Sequence, residues 1–369
     1  MARVLPPLWL REPSRFSGIS HRQGIWTLTA LALLLIASLT AFSTPAGHQP
    51  GAPVVAEQTD LYLYGSIVDG IRAGGKYYSV TASALRAGNF PLKPFLTFRL
   101  PTLAMVQAML PPWGVTALLE LLALAAAIAW YRRLRPLLSG VLPLTVAMLL
   151  MLAGMLACIQ PALAPFHEIW SALLIALSLA LRKPDRWIDA VALGLCAMLI
   201  RETAALYILV MAILAFAGGH RREAIGWAVA LGIFFVALTL HAMAVDKVVG
   251  PLDPASPGWH GLHGFGLFVK SVVLATALQG APLWIAAPLI ALALFGWASC
   301  PGAAGLRVLA TLLSYALFIS VMGRTDTFYW GLMVAPLLLV GLIFVPDGLR
   351  DAVRAMLDTR RVRVQRISR

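Results

Sequence analysis

Ten apolar segments, separated by short polar connections, run through most of the chain and decide what it can fold into. A helix of about 20 apolar residues matches the hydrocarbon core of a bilayer. Of the 369 residues, 60% are hydrophobic and only 12% are charged, whereas soluble domains average about 25% charged residues. The sequence therefore predicts an all-α polytopic membrane protein with about ten transmembrane helices. The predicted spans are 24–43, 113–131, 138–158, 168–181, 187–200, 203–217, 224–244, 281–298, 306–322 and 329–346.

Basic residues give these spans a direction. Arginine and lysine are enriched in cytoplasmic loops, and here they concentrate in the terminal tails and in alternate connections. With ten spans, both termini are then cytoplasmic. The formal net charge of +13 is explained by these helix ends, so we expect no nucleic acid partner. The predicted regions are a basic tail at 1–23, an integral membrane domain at 24–346 and a second basic tail at 347–369.

One apolar stretch, 187–217, is interrupted only by Arg201 and Glu202. Basic clusters at both of its ends favour two crossings, so each arm has about 14 residues and extends about 21 Å. The hydrocarbon core is about 30 Å thick, so the turn would stay submerged and line an outward-open polar cavity. The short preceding span would bring His167 and Glu168 to a similar depth. A single crossing by 187–217 is the alternative.

Two long loops follow from this topology on the outer side, at 44–112 and 245–280. In the first, the sequence predicts a helix that begins with a cap at Thr59 or Asp60 and ends at Gly74-Gly75. A second short helix is predicted near 102–110. Both would lie on the membrane surface as amphipathic elements.

The second long loop is rich in glycine and proline and is a candidate lid over the cavity. It carries Trp259, His260 and His263. A third surface helix is predicted near 267–278, before the chain re-enters the bilayer.

Two stretches of the first outer loop resemble the glycosyltransferase-C superfamily. The first is TDLYLYGSIVDGIRAGGKYY (59–78), which carries an acid, and the second is the following FRLPTLAMVQAMLPPWG (98–114). The greatest similarity is to the family 87 type, bacterial mannosyltransferases that use polyprenyl-phosphomannose. In topology the likeness covers most of the chain, and the informative motif is confined to about 57–113. Many members have two neighbouring acids where this chain has only Asp60. We therefore expect no metal, and no other cofactor.

The resemblance implies a transfer of a hexose or pentose from a polyprenyl-phosphate donor to a glycan, lipid or protein acceptor. The reaction would take place on the periplasmic side of a bacterial inner membrane, among membrane lipids. The resemblance assigns Asp60 as the base that takes a proton from the acceptor hydroxyl, and direct displacement inverts the anomeric carbon. Arg201 and then Arg324 are the candidate ligands of the leaving phosphate, because a guanidinium binds phosphate through two donors. The other candidate substrate-binding residues are Tyr62, Tyr64, His167, Glu168, Glu202 and Tyr329.

Each candidate also has a structural interpretation. Asp60 would be a helix cap, Arg201 a partner of Glu202, and Arg324 a surface partner of Asp326. The histidine and the acid at 167–168 would cap the next helix, and the tyrosines would be interfacial anchors. For the whole chain, the alternative is a transporter or flippase of a lipid-linked sugar. The absence of repeated halves in the sequence favours the transferase, and only the resemblance points to mannose among the sugars.

Overall fold

The computed structural model describes residues 6–44, 55–256, 258, 261–324 and 327–358, with only the helical backbone at 55–59. The protein is 75% helical, and the described residues contain no strand. The prediction of an all-α protein is confirmed. The helices are α1 His21–Ser38, α2 Val55–Arg72, α3 Tyr77–Ala87, α4 Thr102–Met109, α5 Pro112–Leu134, α6 Val141–Gly154, α7 His167–Leu181, α8 Ile188–Ile200, α9 Ala205–Ala217, α10 Arg221–Asp246, α11 Phe265–Ala275, α12 Leu283–Ser299, α13 Gly302–Met322, α14 Ala335–Leu338 and α15 Val345–Leu357.

Four elements among the described residues are long and apolar enough to cross a membrane: His21–Phe42, α5, α10 and α13. Six further apolar helices have 10–17 residues and are shorter than a straight span requires. They are α6, α7, α8, α9 with its preceding turn, α11 and α12. The long apolar helices are compatible with an integral membrane protein, and the number of ten crossings stays a prediction.

The stretch 187–217 is broken where the sequence places its two charges. Arg201 has extended backbone (φ −137°, ψ 116°), and a short 3-10 turn, Glu202–Ala204, leads into α9. Gly194 of α8 lies against Tyr207 of α9, although a continuous helix would separate these two residues by about 20 Å. The chain therefore reverses direction at Arg201, as the sequence predicts.

The segment that was predicted as the first outer loop contains α2, α3 and α4. Because α2 begins at Val55, Asp60 lies inside the helix, and the predicted cap at Thr59 or Asp60 is wrong. The predicted end is confirmed: α2 stops at Arg72, and Gly74 then adopts a positive φ of 91° that favours glycine. The predicted helix near 102–110 is confirmed as α4. Helix α3 was not predicted, and it packs against α2.

Two predictions for the last third of the chain are wrong. Helix α11 is not a surface element: 7 of its 11 residues are buried, because a helix that is apolar nearly all round must be covered. The predicted span 329–346 is not one helix but 3-10 turns on either side of α14. Gly341 lets this segment pack tightly, since its backbone meets the carbonyl group of Ala293 so closely that a Cβ would collide. Irregular backbone at this position is covered by protein.

The described residues of the two predicted tails contact each other. The carboxylate of Asp347 accepts hydrogen bonds from the backbone amides of Leu8, Trp9 and Leu10 at 2.6–3.0 Å. Helix α15 also packs along α1. The predicted boundary at 346–347 therefore falls within the first turn of α15, and this helix belongs to the folded bundle.

Candidate active site

A cavity of about 340 Å³ lies between helices α2–α4 and the helical bundle. This volume is within the range of small-molecule sites, which is about 300–1,000 Å³. Apolar side chains form much of its wall, and polar groups enter it from several parts of the chain. Of the nine sequence-predicted site residues, the five that line it are Asp60, Tyr64, His167, Arg324 and Tyr329.

Helix α2 presents Asp60 to this cavity. Residues 60, 63, 64, 67 and 68 all line it, and this spacing of three and four residues places them on one helix face. Asp60 is half-buried at the N-terminal part of that face. Asp60 is therefore a cavity-facing residue of α2 and not its cap.

Arg99 also lines the cavity and was not singled out in the sequence. Its Nε donates a hydrogen bond to the hydroxyl oxygen of Tyr64 at 3.2 Å. Its backbone carbonyl accepts a hydrogen bond from the Tyr77 hydroxyl at 2.5 Å, which fixes the segment between α3 and α4. Burial raises the pKa of both tyrosines, so they stay neutral at physiological pH. The available signal was FRLP, a lone arginine between large apolar residues.

Aromatic rings form one wall. The ring of Tyr64 meets the imidazole of His167 edge-on at 5.0 Å, and Phe166 stacks on Tyr329 at 5.4 Å. His167 is only 3% exposed, and neither ring nitrogen has a hydrogen-bond partner among the described residues. An unsatisfied buried polar group costs about 1–3 kcal/mol. His167 therefore lines the cavity with both ring nitrogens unsatisfied by the described residues.

Arg324 reaches the cavity from the turn after α13. The hydroxyl of Thr327 accepts a hydrogen bond from the Arg324 amide at 3.0 Å and donates one to the Arg324 carbonyl at 2.9 Å. These two bonds hold the backbone from which the guanidinium extends. Its sequence-predicted surface partner, Asp326, lies outside the described residues.

Arg201 is not among the residues that the structure describes as lining the cavity. Its Nε lies 2.6 Å from Oε1 of Glu168, at an angle outside hydrogen-bond geometry, so this contact is an ion pair. Its Nη1 donates to Oε2 of Glu202 at 2.9 Å. The guanidinium also lies 5.9 Å from the ring centre of Trp330. We call Arg201, Glu168 and Glu202 the buried ion-pair cluster. These contacts favour the structural interpretation of Arg201, which pairs with two acids and not with Glu202 alone.

Tyr62 faces away from the cavity and is 79% exposed. Tyr62 and Tyr64 therefore lie on different faces of α2. Of the candidate lid residues, His263 borders a separate hollow beside the end of α1, and Trp259 and His260 lie outside the described residues. Ser256 from the same loop does line the cavity.

Among the described residues, no group of three or more His, Cys, Asp or Glu side chains is placed to hold a metal ion. Comparison of the chain with protein-family models, curated proteins and solved structures finds no match. Function must therefore be argued from the cavity itself.

Proposed function

We propose that the chain is an inverting membrane glycosyltransferase that moves a sugar from a polyprenyl-phosphate donor to an acceptor hydroxyl. One observation carries the proposal. A single cavity brings the carboxylate of Asp60 together with two arginines, Arg99 and Arg324, from three separate parts of the chain. Glycosyl transfer from a lipid phosphate needs this combination of a base and cations.

In the proposed reaction, Asp60 takes the proton from the acceptor hydroxyl as its oxygen attacks the anomeric carbon. A new carbon–oxygen bond forms on one face of the sugar while the bond to the phosphate oxygen breaks on the other. The electron pair of that bond leaves with the polyprenyl phosphate. Arg99 and Arg324 stabilise the negative charge that develops there.

The proposed phosphate ligands differ from the order that the sequence suggests. Arg201 came first because of its depth, but two carboxylates already neutralise its charge. Arg99 and Arg324 instead reach the cavity wall. We assign Arg201, Glu168 and Glu202 to positioning the start of α7, and with it the imidazole of His167.

The sugar would lie against the aromatic wall. Tyr64 and Tyr329 offer ring faces and hydroxyl groups, and the unbonded ring nitrogens of His167 can bond sugar hydroxyls. Nothing in this lining selects one hexose or pentose. The resemblance to family 87 makes mannose the first sugar to test.

The proposed setting is a bacterial inner membrane, with both termini in the cytoplasm. Helix α10 supports this orientation. It begins at Arg221 and Arg222 and ends on the cavity side, where Nε2 of His241 lies 3.2 Å from the carbonyl oxygen of Phe98. Basic helix ends favour the cytoplasm, so the cavity would open on the opposite, periplasmic side.

The test uses the purified full-length protein in nanodiscs with a panel of polyprenyl-phosphate sugars and soluble acceptors. We expect release of free polyprenyl phosphate with one donor, together with inverted sugar on the acceptor. A protein that consumes no donor but, in liposomes, moves a labelled polyprenyl-phosphate sugar between leaflets is a flippase, and that result would refute the transferase.

A further inference from the structure

Arg307 is a buried cation near the N-terminal end of α13. Only 6% of its surface is exposed, although α13 is one of the four elements that are long and apolar enough to cross a membrane. Its Nη1 donates a hydrogen bond to the carbonyl oxygen of Ala303, one turn earlier, at 3.2 Å. The guanidinium is therefore directed towards the N-terminal end of α13 and not towards the middle of the apolar span.

The protein does not use all the donors of this guanidinium. Nε of Arg307 is buried and has no hydrogen-bond partner among the described residues. Its Nη2 has no partner there either, and it is not fully enclosed. Within the same part of the chain, Arg307 forms no ion pair. Buried charges are normally paired with an opposite charge, so Arg307 can offer both its charge and its donors to a ligand.

Two further arginines lie beside Arg307. Arg182, at the end of α7, and Arg133, in the last turn of α5, are close enough for their charges to act on it. Nη1 of Arg133 donates a hydrogen bond to the carbonyl oxygen of Arg182 at 3.1 Å. Arg182 is buried and Arg133 is half-buried. We call Arg133, Arg182 and Arg307 the arginine cluster; it gathers the ends of three helices that are distant in sequence.

Positive charge exceeds negative charge in the arginine cluster. The acid that acts on Arg307 is Glu223 of α10, but its carboxylate accepts two hydrogen bonds from Arg182 and one from Trp227. Glu223 therefore neutralises Arg182. Arg133 and Arg307 have no ion-pair partner among the described residues, and like charges repel strongly where water is scarce. A bound anion would remove this repulsion.

The arginine cluster is remote from the reaction cavity. Glu223 lies in the first turn of α10, whereas His241 lies near the cavity end of the same helix. At 1.5 Å per residue, these two positions are about 27 Å apart along the helix axis. Because basic helix ends favour the cytoplasm, the arginine cluster belongs to the cytoplasmic side. An anion bound there would take no part in the proposed sugar transfer.

We propose that the arginine cluster binds a phosphate group at the cytoplasmic surface of the membrane. A guanidinium holds phosphate oxygens through two parallel hydrogen bonds, and the phosphate charge would balance Arg133 and Arg307. Basic pockets between transmembrane helices on this side are typical sites for anionic lipid headgroups. Leu306, beside Arg307, is 42% exposed, so an acyl chain can lie next to the site. The expected source of the phosphate is therefore an anionic phospholipid, and the other source is free inorganic phosphate.

The binding test uses native mass spectrometry of the purified full-length protein in detergent. Phosphatidylglycerol is the anionic probe, and phosphatidylcholine is the control lipid without net charge. Arg307→Gln and Arg133→Gln each remove one charge of the cluster, and Arg132→Gln removes an exposed arginine from the same end of α5 as a matched control. We expect both cluster variants to weaken phosphatidylglycerol binding about tenfold or more, and Arg132→Gln to change it by less than about twofold.

Thermal unfolding in lipid-free detergent gives a second measurement. Arg307→Gln should not lower the Tm, because it relieves the repulsion from Arg133 and Arg182. A residue that only supports the fold would give the opposite result. Added phosphatidylglycerol should raise the Tm of the wild type and of Arg132→Gln, and it should raise that of Arg307→Gln much less. The same measurement is repeated with inorganic phosphate.

The outcomes separate the two sources of phosphate. Stabilisation by phosphatidylglycerol alone, lost in Arg307→Gln, supports a lipid site, and stabilisation by inorganic phosphate that is lost in the same variant supports a site for free phosphate. Equal binding by the wild type and the cluster variants overturns the proposal, as does equal weakening by Arg132→Gln. Wild-type protein that prefers neither phosphatidylglycerol to phosphatidylcholine nor binds inorganic phosphate also overturns it. If Arg307→Gln does not fold, Arg133→Gln decides by the same criteria.

Discussion

Arg201→Ala would leave the buried carboxylate of Glu168 and the half-buried carboxylate of Glu202 without the guanidinium that neutralises them. The side chains of Arg201 and Glu168 are only 3% and 2% exposed, so solvent screens this pair very little. Removing one partner of a buried ion pair costs about 3–5 kcal/mol, and the second carboxylate places the expected loss at the upper end. Since a typical domain is stable by about 5–15 kcal/mol, this is a large fraction of the total.

The loss can be measured by SDS titration of the purified protein in mixed micelles, followed by circular dichroism. Arg86→Ala is the matched control, because Arg86 also pairs with one acid, Asp253, at 2.6 Å, but with a side chain that is 45% exposed. We expect a far smaller change in unfolding free energy for the control, since exposed pairs contribute little. Equal losses of unfolding free energy for both variants would contradict the conclusion that the ion pairs of Arg201 are buried.

A neutral cluster then separates structure from phosphate binding. In the triple variant Glu168→Gln, Arg201→Gln, Glu202→Gln no buried charge is left unpaired, so stability should return to within about 2 kcal/mol of wild type. Donor affinity should also be close to wild type, because Arg99 and Arg324 are the proposed phosphate ligands. A triple variant that is folded but binds no donor would refute this reasoning and would support Arg201 as a ligand of the donor phosphate.

Three further predictions test the cavity and its orientation. Asp60→Asn should lower turnover by roughly 10²-fold or more with unchanged donor affinity. Because Asp60 is inside α2, the substitution does not remove a helix cap, and near-normal turnover would exclude Asp60 as the base. Arg99→Lys and Arg324→Lys should each raise the donor KM although the charge is kept, since lysine lacks the planar fork; steady-state kinetics would detect this, and unchanged values for both would contradict the assignment. In sealed right-side-out vesicles, after the native cysteines are replaced, an impermeant thiol reagent should label Tyr62→Cys and not Arg221→Cys. The opposite labelling pattern would reverse the proposed orientation.

Local features of the sequence predicted the helical architecture and several of its breaks. The reversal at Arg201 follows from two charges inside an apolar run, and the end of α2 follows from Gly74. Such signals depend on the solvation and the backbone freedom of a few neighbouring residues, so they can be recognised in the sequence. The opposite faces of Tyr62 and Tyr64 follow in the same way from the helical repeat.

Tertiary packing decided which of the polar residues share the cavity. Depth in the membrane put Arg201 first, but α7 brings Glu168 against it and turns it into a buried partner. Arg99 reaches the cavity because Tyr77, 22 residues earlier, holds its backbone. The sequence alone determined that this chain is a helical protein with charges at specific breaks. Which of those charges meet a ligand depends on contacts between helices distant in sequence, and these are fixed only when the helices pack.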